Sequence, residues 1–270
     1  MSLPSDAFRH VASRPHEPLR TYHPRRAPLG RAREDALARL YPRYGLPPLP
    51  TPAPPTPHPP TSSKTADFVG DLRRAGGYPT KSAGSEGGWL DAQALFGRLA
   101  PLVLEIGPGM GDATAEMAAR DPERDYLAVE AHLPGIAHLL QLVEARGLTN
   151  VRVGYGDALD LVRRLIAPAS LAAVHAFFPD PWPKKRHHKR RLIQPEHVAL
   201  LRSRLAIGGV LHVATDWTPY AEQMLDVLTA DPGLELGMVE AMAPRPVTKF
   251  EARALAEGRP IRDLVAERVA

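Results

Sequence analysis

The chain has 270 residues, 44% of them hydrophobic and 24% charged, with no cysteine and a net charge of +4. A chain of this size buries a full hydrophobic core in one or two domains. Without cysteine it has neither disulfides nor thiolate metal sites, and with neither an apolar leader nor a run of about 18 apolar residues, a cytoplasmic protein with no membrane contact is expected.

Charge is concentrated in two places. Residues 1–64 carry ten Lys/Arg against four Asp/Glu, and residues 184–191 carry six positive charges among eight positions. The rest of the chain is acidic. Two basic segments on an acidic body steer a polyanion toward one face; the plainer reading is a solubilising tail and a solvated loop.

Residues 1–64 read as a basic, proline-rich arm and linker, largely irregular, ahead of a domain over 65–270. Within the arm, residues 20–46 mix arginines with aromatics and contain a short helix-like stretch over 34–41. Nine prolines in the fourteen positions 47–60 remove backbone donors and favour an extended spacer. The glycine-rich stretch 82–88 reads as another irregular connection.

From about Trp89 strands and helices alternate. Strands are predicted over 102–106, 126–130, 151–153, 171–178 and 210–214. Helices are predicted over 112–120, 133–146, 158–166, 195–205 and 219–229. This rhythm predicts an α/β, doubly wound, mostly parallel sheet with helices on both faces.

Glu105-Ile106-Gly107-Pro108-Gly109-Met110-Gly111-Asp112 falls at the first strand-to-helix turn. Glycines admit a ligand close to the backbone, and a helix start offers free N–H groups. A pyrophosphate site would want Gly-x-Gly-x-x-Gly. Here Gly107, Gly109 and Gly111 are spaced Gly-x-Gly-x-Gly and flanked by two acids, which suits a cationic, amino-acid-bearing ligand such as S-adenosylmethionine. Glu130, 25 residues after Glu105, ends the second strand where an acid can take ribose hydroxyls. Asp157 ends the third strand, suitably placed for an adenine amino group, although it also reads as a helix N-cap.

The fourth strand runs into Phe177-Phe178-Pro179-Asp180-Pro181-Trp182-Pro183 and then the basic run Lys184-Lys185-Arg186-His187-His188-Lys189-Arg190-Arg191. Ligands of doubly wound sheets lie beyond the carboxyl ends of the strands, so Asp180 is expected at the reaction centre. The basic run is expected to bind phosphates. His187 and His188 lack a third ligand at a metal-like spacing, so no metal is expected.

These segments are similar to those of the tRNA (guanine-N7)-methyltransferase family. The likeness rests on Leu104-Glu105-Ile106-Gly107, Gly109-Met110-Gly111, the Phe-Pro-Asp-Pro-Trp stretch with its basic run, Ala214-Thr215-Asp216-Trp217 and Thr248-Lys249-Phe250-Glu251. It extends from about Trp89 to the end of the chain, and the arm ending in Pro42-Arg43-Tyr44-Gly45-Leu46 resembles the family's N-terminal segment. The resemblance implies a Rossmann-like class I methyltransferase. It implies that Glu105, Glu130 and Asp157 contact S-adenosylmethionine and that Asp180 stands at the reacting methyl. It further implies that Lys184, Asp216 and the segment Thr248, Lys249, Phe250 and Glu251 serve a tRNA substrate, methylated at guanosine 46 of the variable loop. A monomer or homodimer without an obligate protein partner is expected. Pro108, Ala254 and Arg262 depart from the family pattern. Two other readings remain. Another class I methyltransferase could act on an amino nitrogen, though such loops begin with an amide rather than Asp180. A non-catalytic RNA-binding protein of the same fold would not need all four acids.

Overall fold

The computed structural model describes residues 20–22, 29–46, 88–237 and 245–270. The spacer expected over 47–60 and all but the last residue of the connection expected over 82–88 lie outside these.

Seven strands form one sheet: β1 (Leu102–Ile106), β2 (Asp125–Glu130), β3 (Val151–Tyr155), β4 (Leu171–Phe177), β5 (Leu205–Thr215), β6 (Leu234–Gly237) and β7 (Arg262–Arg268). Their order across the sheet is β3-β2-β1-β4-β5-β7-β6. The first five run parallel, while β7 lies antiparallel to both β5 and β6. The chain winds outward from β1 to β3, returns to β4 and winds the other way. That reversal opens a crevice between the carboxyl ends of β1 and β4, the usual ligand site of such sheets.

The α-helices among the described residues are α1 (Arg31–Tyr44), α2 (Ala92–Phe96), α3 (Asp112–Arg120), α4 (Leu133–Ala145), α5 (Ala158–Leu165), α6 (Pro195–Arg204), α7 (Thr218–Ala230) and α8 (Lys249–Ala256). Side chains alternate between the faces of a strand, and the central strands supply apolar residues to both. Leu104, Leu127, Val174 and Leu211 pack under α5, α6 and α7, whereas Val103, Tyr126, Ala128 and Ala173 pack under α1, α3 and α4. Both faces are therefore dry, as a parallel sheet requires.

The expected doubly wound α/β sheet is thus the observed one, with two differences. First, α1 is longer than the stretch 34–41 and is not irregular arm. Its Leu37, Leu40, Tyr41 and Tyr44 are buried with α4 residues in one core, and the Leu46 N–H donates to the Val153 carbonyl at 2.8 Å. Residues 29–46 therefore belong to the body, because a 3.6-residue apolar stripe buries its face against the sheet layer. Second, β6 and β7 were not expected. β7 is rich in Arg, Glu and Asp, and its Asp263 and Arg268 meet partners on distant parts of the chain.

Candidate active site

The glycine turn after β1 is built by close approach. Gly111 has φ +79°, and a Cβ there would lie 2.6 Å from the Cβ of Leu139. Gly135, in the first turn of α4, lies so near Gly109 that an added Cβ would stand 2.0 Å from the Gly109 carbonyl oxygen. Only glycine fits either position. The two helix starts and the turn thus form a backbone cradle at the end of β1.

Glu130 locks this cradle to β2. Its Oε2 accepts from the Gly109 N–H and its Oε1 from the His132 N–H, both at 2.9 Å. Glu105 lies deeper. Burial pushes its carboxyl up to about 7; the nearby Thr114 hydroxyl works against the rise, and the negative charge of Glu130 adds to it. Its Oε2 is buried with no hydrogen-bond partner among the described residues. Such a carboxylate calls for a cationic donor from a ligand, since an unsatisfied buried oxygen is costly.

A cleft of about 230 Å³ opens at this point. Glu105, Gly107, Gly109, Gly111 and Glu130 line it, together with Asp180, Thr248, Lys249 and Phe250. The cofactor acids, the glycine turn, the β4 carboxylate and the C-terminal motif thus share one cleft. Asp157 stands beside it, between the lining residues Gly156 and Ala158. Its Oδ1 accepts from the N–H groups of Leu159 at 2.9 Å and Asp160 at 3.3 Å, so it does cap α5.

The exit of β4 carries the strain of the site. Phe178 and Trp182 have φ +54° and +44°, each a conformation costing about 1–3 kcal/mol for a bulky residue. Trp182 is buried; its Nε1 donates to the Thr21 carbonyl at 3.1 Å. The Arg190 guanidinium stands 5.0 Å from the Trp182 ring centroid, and the His187 ring meets it edge-on at 5.7 Å. The stretch therefore bends sharply, with its aromatic ring turned inward and Asp180 toward the cleft.

The basic run forms a short 3₁₀-helix, Lys185–Arg190. Lys184, Lys185, Arg186 and Lys189 are exposed, while His187, His188 and Arg190 are half-buried. Arg191 corrects the expectation of a phosphate-binding surface residue, since it is only 1% exposed. Its Nε donates to the Pro181 carbonyl at 2.9 Å, Nη1 donates to Gln223, and Nη2 meets His188 Nε2 at 3.1 Å. Its guanidinium also stacks on Tyr220 at 4.7 Å. Arg191 and His188 root the loop rather than decorate it.

Two further expected substrate contacts are turned elsewhere. Glu251 is buried and commits its oxygens to Arg245 and to the Thr248 N–H, while its own N–H donates to Thr248 Oγ1 at 3.1 Å. This capping box starts α8, so Thr248-Lys249-Phe250-Glu251 is a helix start. Asp216 accepts from Arg259 Nε at 3.0 Å. Lys249, by contrast, is exposed and approaches both Asp112 oxygens at 3.4 Å, and Phe250 is 57% exposed at the cleft.

The sequence missed Thr21 and Tyr22, which also line the cleft. Burial raises the Tyr22 phenol, and the neighbouring charges of Asp157 and Glu130 raise it further. Aromatics among arginines were the only signal in that arm. Among the described residues no cluster of three or more His, Asp or Glu could hold a metal ion, and no described helix is long and apolar enough to cross a membrane.

A doubly wound sheet, a glycine cradle bordered by strand-ending acids and a carboxylate at the exit of β4 together define a class I methyltransferase. Residues 99–264 match the family model described as "Putative methyltransferase". The tRNA (guanine-N(7)-)-methyltransferase of Streptomyces coelicolor is 45% identical over 256 residues, spanning 93% of this chain and 81% of that protein. The enzyme of that name from Nitrosospira multiformis is 42% identical over 258 residues, 94% of this chain and 96% of the other. That of Halorhodospira halophila is 55% identical over 185 residues, 67% and 80%. The chain belongs to the tRNA (guanine-N7)-methyltransferase family. Among solved structures, the 16S rRNA methyltransferase KamB superposes with a TM-score of 0.48 at 17% identity, covering 68% of this chain and 96% of that one; so loose a likeness carries no argument.

Proposed function

We propose that this protein methylates N7 of guanosine 46 in the variable loop of tRNA, using S-adenosylmethionine. One observation carries the reading: Asp180 shares a cleft with the unpartnered Glu105 oxygen, the glycine cradle, Lys249 and Phe250. Cofactor acids and an RNA-facing lip thus meet around a single carboxylate.

When bound, S-adenosylmethionine supplies an electrophilic methyl group on a sulfonium. Glu105 takes the ammonium, Glu130 the ribose hydroxyls and Asp157 the adenine amino group, while the backbone of Gly107, Gly109 and Gly111 approaches the ligand. Phe250 offers a face on which a base can stack, worth about 1–3 kcal/mol. Lys184, Lys185, Arg186 and Lys189 hold phosphates on the same side as the β4 exit.

Guanine N7 has a free lone pair at neutral pH, so no base must remove a proton before the new N–C bond forms. Positive charge then develops on the ring. Asp180 orients the guanine edge and offsets that charge, an electrostatic and positional role rather than one of general base.

The test is incubation with labelled cofactor and an unmodified tRNA transcript, followed by nucleoside mapping. The expected product is 7-methylguanosine at position 46. A methylated amino nitrogen would overturn the assignment of N7, and bound cofactor without any methylated product would make the chain a binding protein.

A further inference from the structure

Arg245 lies outside every motif that the sequence singled out, yet its side chain is only 7% exposed. Its Nε and Nη2 donate to Oδ1 and Oδ2 of Asp263 in β7 at 2.8 and 2.9 Å. Nη2 also donates to Glu251 Oε1 in α8 at 3.2 Å, and Nη1 donates to Glu251 Oε2. The guanidinium stands 5.3 Å from the ring centroid of Phe177 and 5.2 Å from that of Phe178. Asp263 in turn meets His212 Nε2 in β5 at 2.8 Å.

One cation therefore joins three pieces of the fold. Phe177 and Phe178 end β4 three and two residues before Asp180, and Phe178 holds a positive φ that its own sterics oppose. Glu251 caps the helix whose first turn presents Lys249 and Phe250 to the cleft. Asp263 fixes the guanidinium to the sheet. Hydrogen bonds from His212 and Arg245 hold this carboxyl down to about 2 against the burial that would raise it, so it stays ionised throughout the working range.

We infer that Arg245 is a positioning residue, which sets Asp180 on one lip of the cleft relative to Lys249 and Phe250 on the other. Two carboxylates approach the edge of one planar group while two aromatic rings pack against it. Guanidinium meets that demand because its donors form a rigid fork and it stacks on aromatic rings; an ammonium is a point charge and does not reproduce it. Removing it leaves the buried Glu251 without its cation and Asp263 with only His212, and frees the Phe178 turn. The two lips then lose their common reference, while the glycine cradle, built from β1, β2 and α4, keeps its own contacts.

The inference rests on the proposed methyl transfer, and the test separates the two: wild-type protein that forms no 7-methylguanosine sinks the activity and not the role of Arg245. Arg245→Ala and Arg245→Lys are compared with wild type at saturating cofactor and tRNA. S-adenosylhomocysteine affinity is measured by calorimetry and folding by circular dichroism. Folded Arg245→Ala should lose about 100-fold in kcat, the scale of an ångström-sized misplacement, with cofactor Kd within about threefold. Arg245→Lys should recover little of that loss, and added guanidinium ion at millimolar concentration should restore several-fold more turnover to Arg245→Ala than to Arg253→Ala. Arg253 pairs with Glu257 on the exposed side of α8, and its variant should keep wild-type kcat. Near-normal kcat in folded Arg245→Ala, or a loss lying wholly in cofactor Kd, would overturn the assignment. Should neither Arg245 variant fold, Glu251→Gln keeps the neutral capping bonds and removes one of the two carboxylates. A several-fold lower kcat at unchanged cofactor Kd would support the role, and unchanged kcat would overturn it.

Discussion

Glu105 and Asp180 reach the same cleft from adjacent strands, but their surroundings differ. Glu105 is sealed beneath the glycine cradle, whereas Asp180 is half-buried at a bend. For Glu105 the consequence is a pH dependence with a definite sign. In the unfolded chain its carboxyl ionises near 4.5, and in the fold near 7. Between those values the folded protein keeps a proton that the unfolded chain has released, so the contribution of Glu105 to stability falls as pH rises through this window. The difference amounts to on the order of 3 kcal/mol by pH 8. Without cofactor, Glu105→Gln should melt higher than wild type at pH 8 and much the same at pH 5. Cofactor affinity of the wild type should rise with pH through about 7, because the carboxylate is the form that takes an ammonium. Parallel melting curves of the two proteins across this range would refute the shift. Asp180→Ala should instead lose most methyl transfer while cofactor Kd stays within a few-fold; turnover near wild type would end its role.

At the scale of elements, the basic loop divides into a surface and a root. Lys184, Lys185, Arg186 and Lys189 present charge, while Arg191 directs its donors to Pro181, Gln223 and His188. Replacing Lys184, Lys185 and Lys189 with Gln should flatten the fall of tRNA affinity with salt by about one unit of log–log slope for each phosphate that is no longer neutralised. Arg191→Met should leave that slope unchanged and cost about 2–3 kcal/mol of stability, since it strands the Pro181 carbonyl. Filter binding across a salt series and thermal melts separate the two effects.

The same contrast explains what could be read from the sequence. Strands β1 to β5 were legible because burial on both faces writes them as apolar runs such as Leu102-Val103-Leu104. β7, reading Arg-Asp-Leu-Val-Ala-Glu-Arg, has no such pattern; Asp263 is met by His212 and Arg245, and Arg268 reaches the Leu205 carbonyl, all partners distant in the sequence. In the site, Glu105, Glu130 and Asp180 were legible because acids ending successive strands beside a glycine turn are rarely accidental. Arg191 misled because local sequence shows charge and not burial. Tyr22 and Arg245 were illegible because their importance comes from residues more than a hundred and nearly seventy positions away in the chain, respectively, at Asp157 and Phe177.

Over the whole molecule, the arm and the body are not separate units. α1 packs on α4 and extends the edge of the sheet beside β3 through the Gly45–Val153 bridge. Further back along the arm, Thr21 lines the cleft and its carbonyl accepts from Trp182 Nε1. Two described parts of the N-terminal segment thus touch the body, one at the outer edge of the sheet and one at the loop after β4.

The insertion of β7 between β5 and β6 bears on the order in which the protein is made. β6 leaves the ribosome before the strand that joins it to the sheet. Until residues 262–268 emerge, β5 offers an open edge, and an open edge invites pairing with other chains. Arg245 has at that stage only one of its two carboxylates. The nascent molecule can therefore assemble its cofactor cradle well before it can align Asp180 with the lip at α8. A chain ended at residue 260 should still bind S-adenosylhomocysteine, remain open to protease at β6 and methylate no tRNA. Methyl transfer should therefore appear only once residues 262–268 have paired between β5 and β6, and a series of shortened chains assayed for 7-methylguanosine checks this.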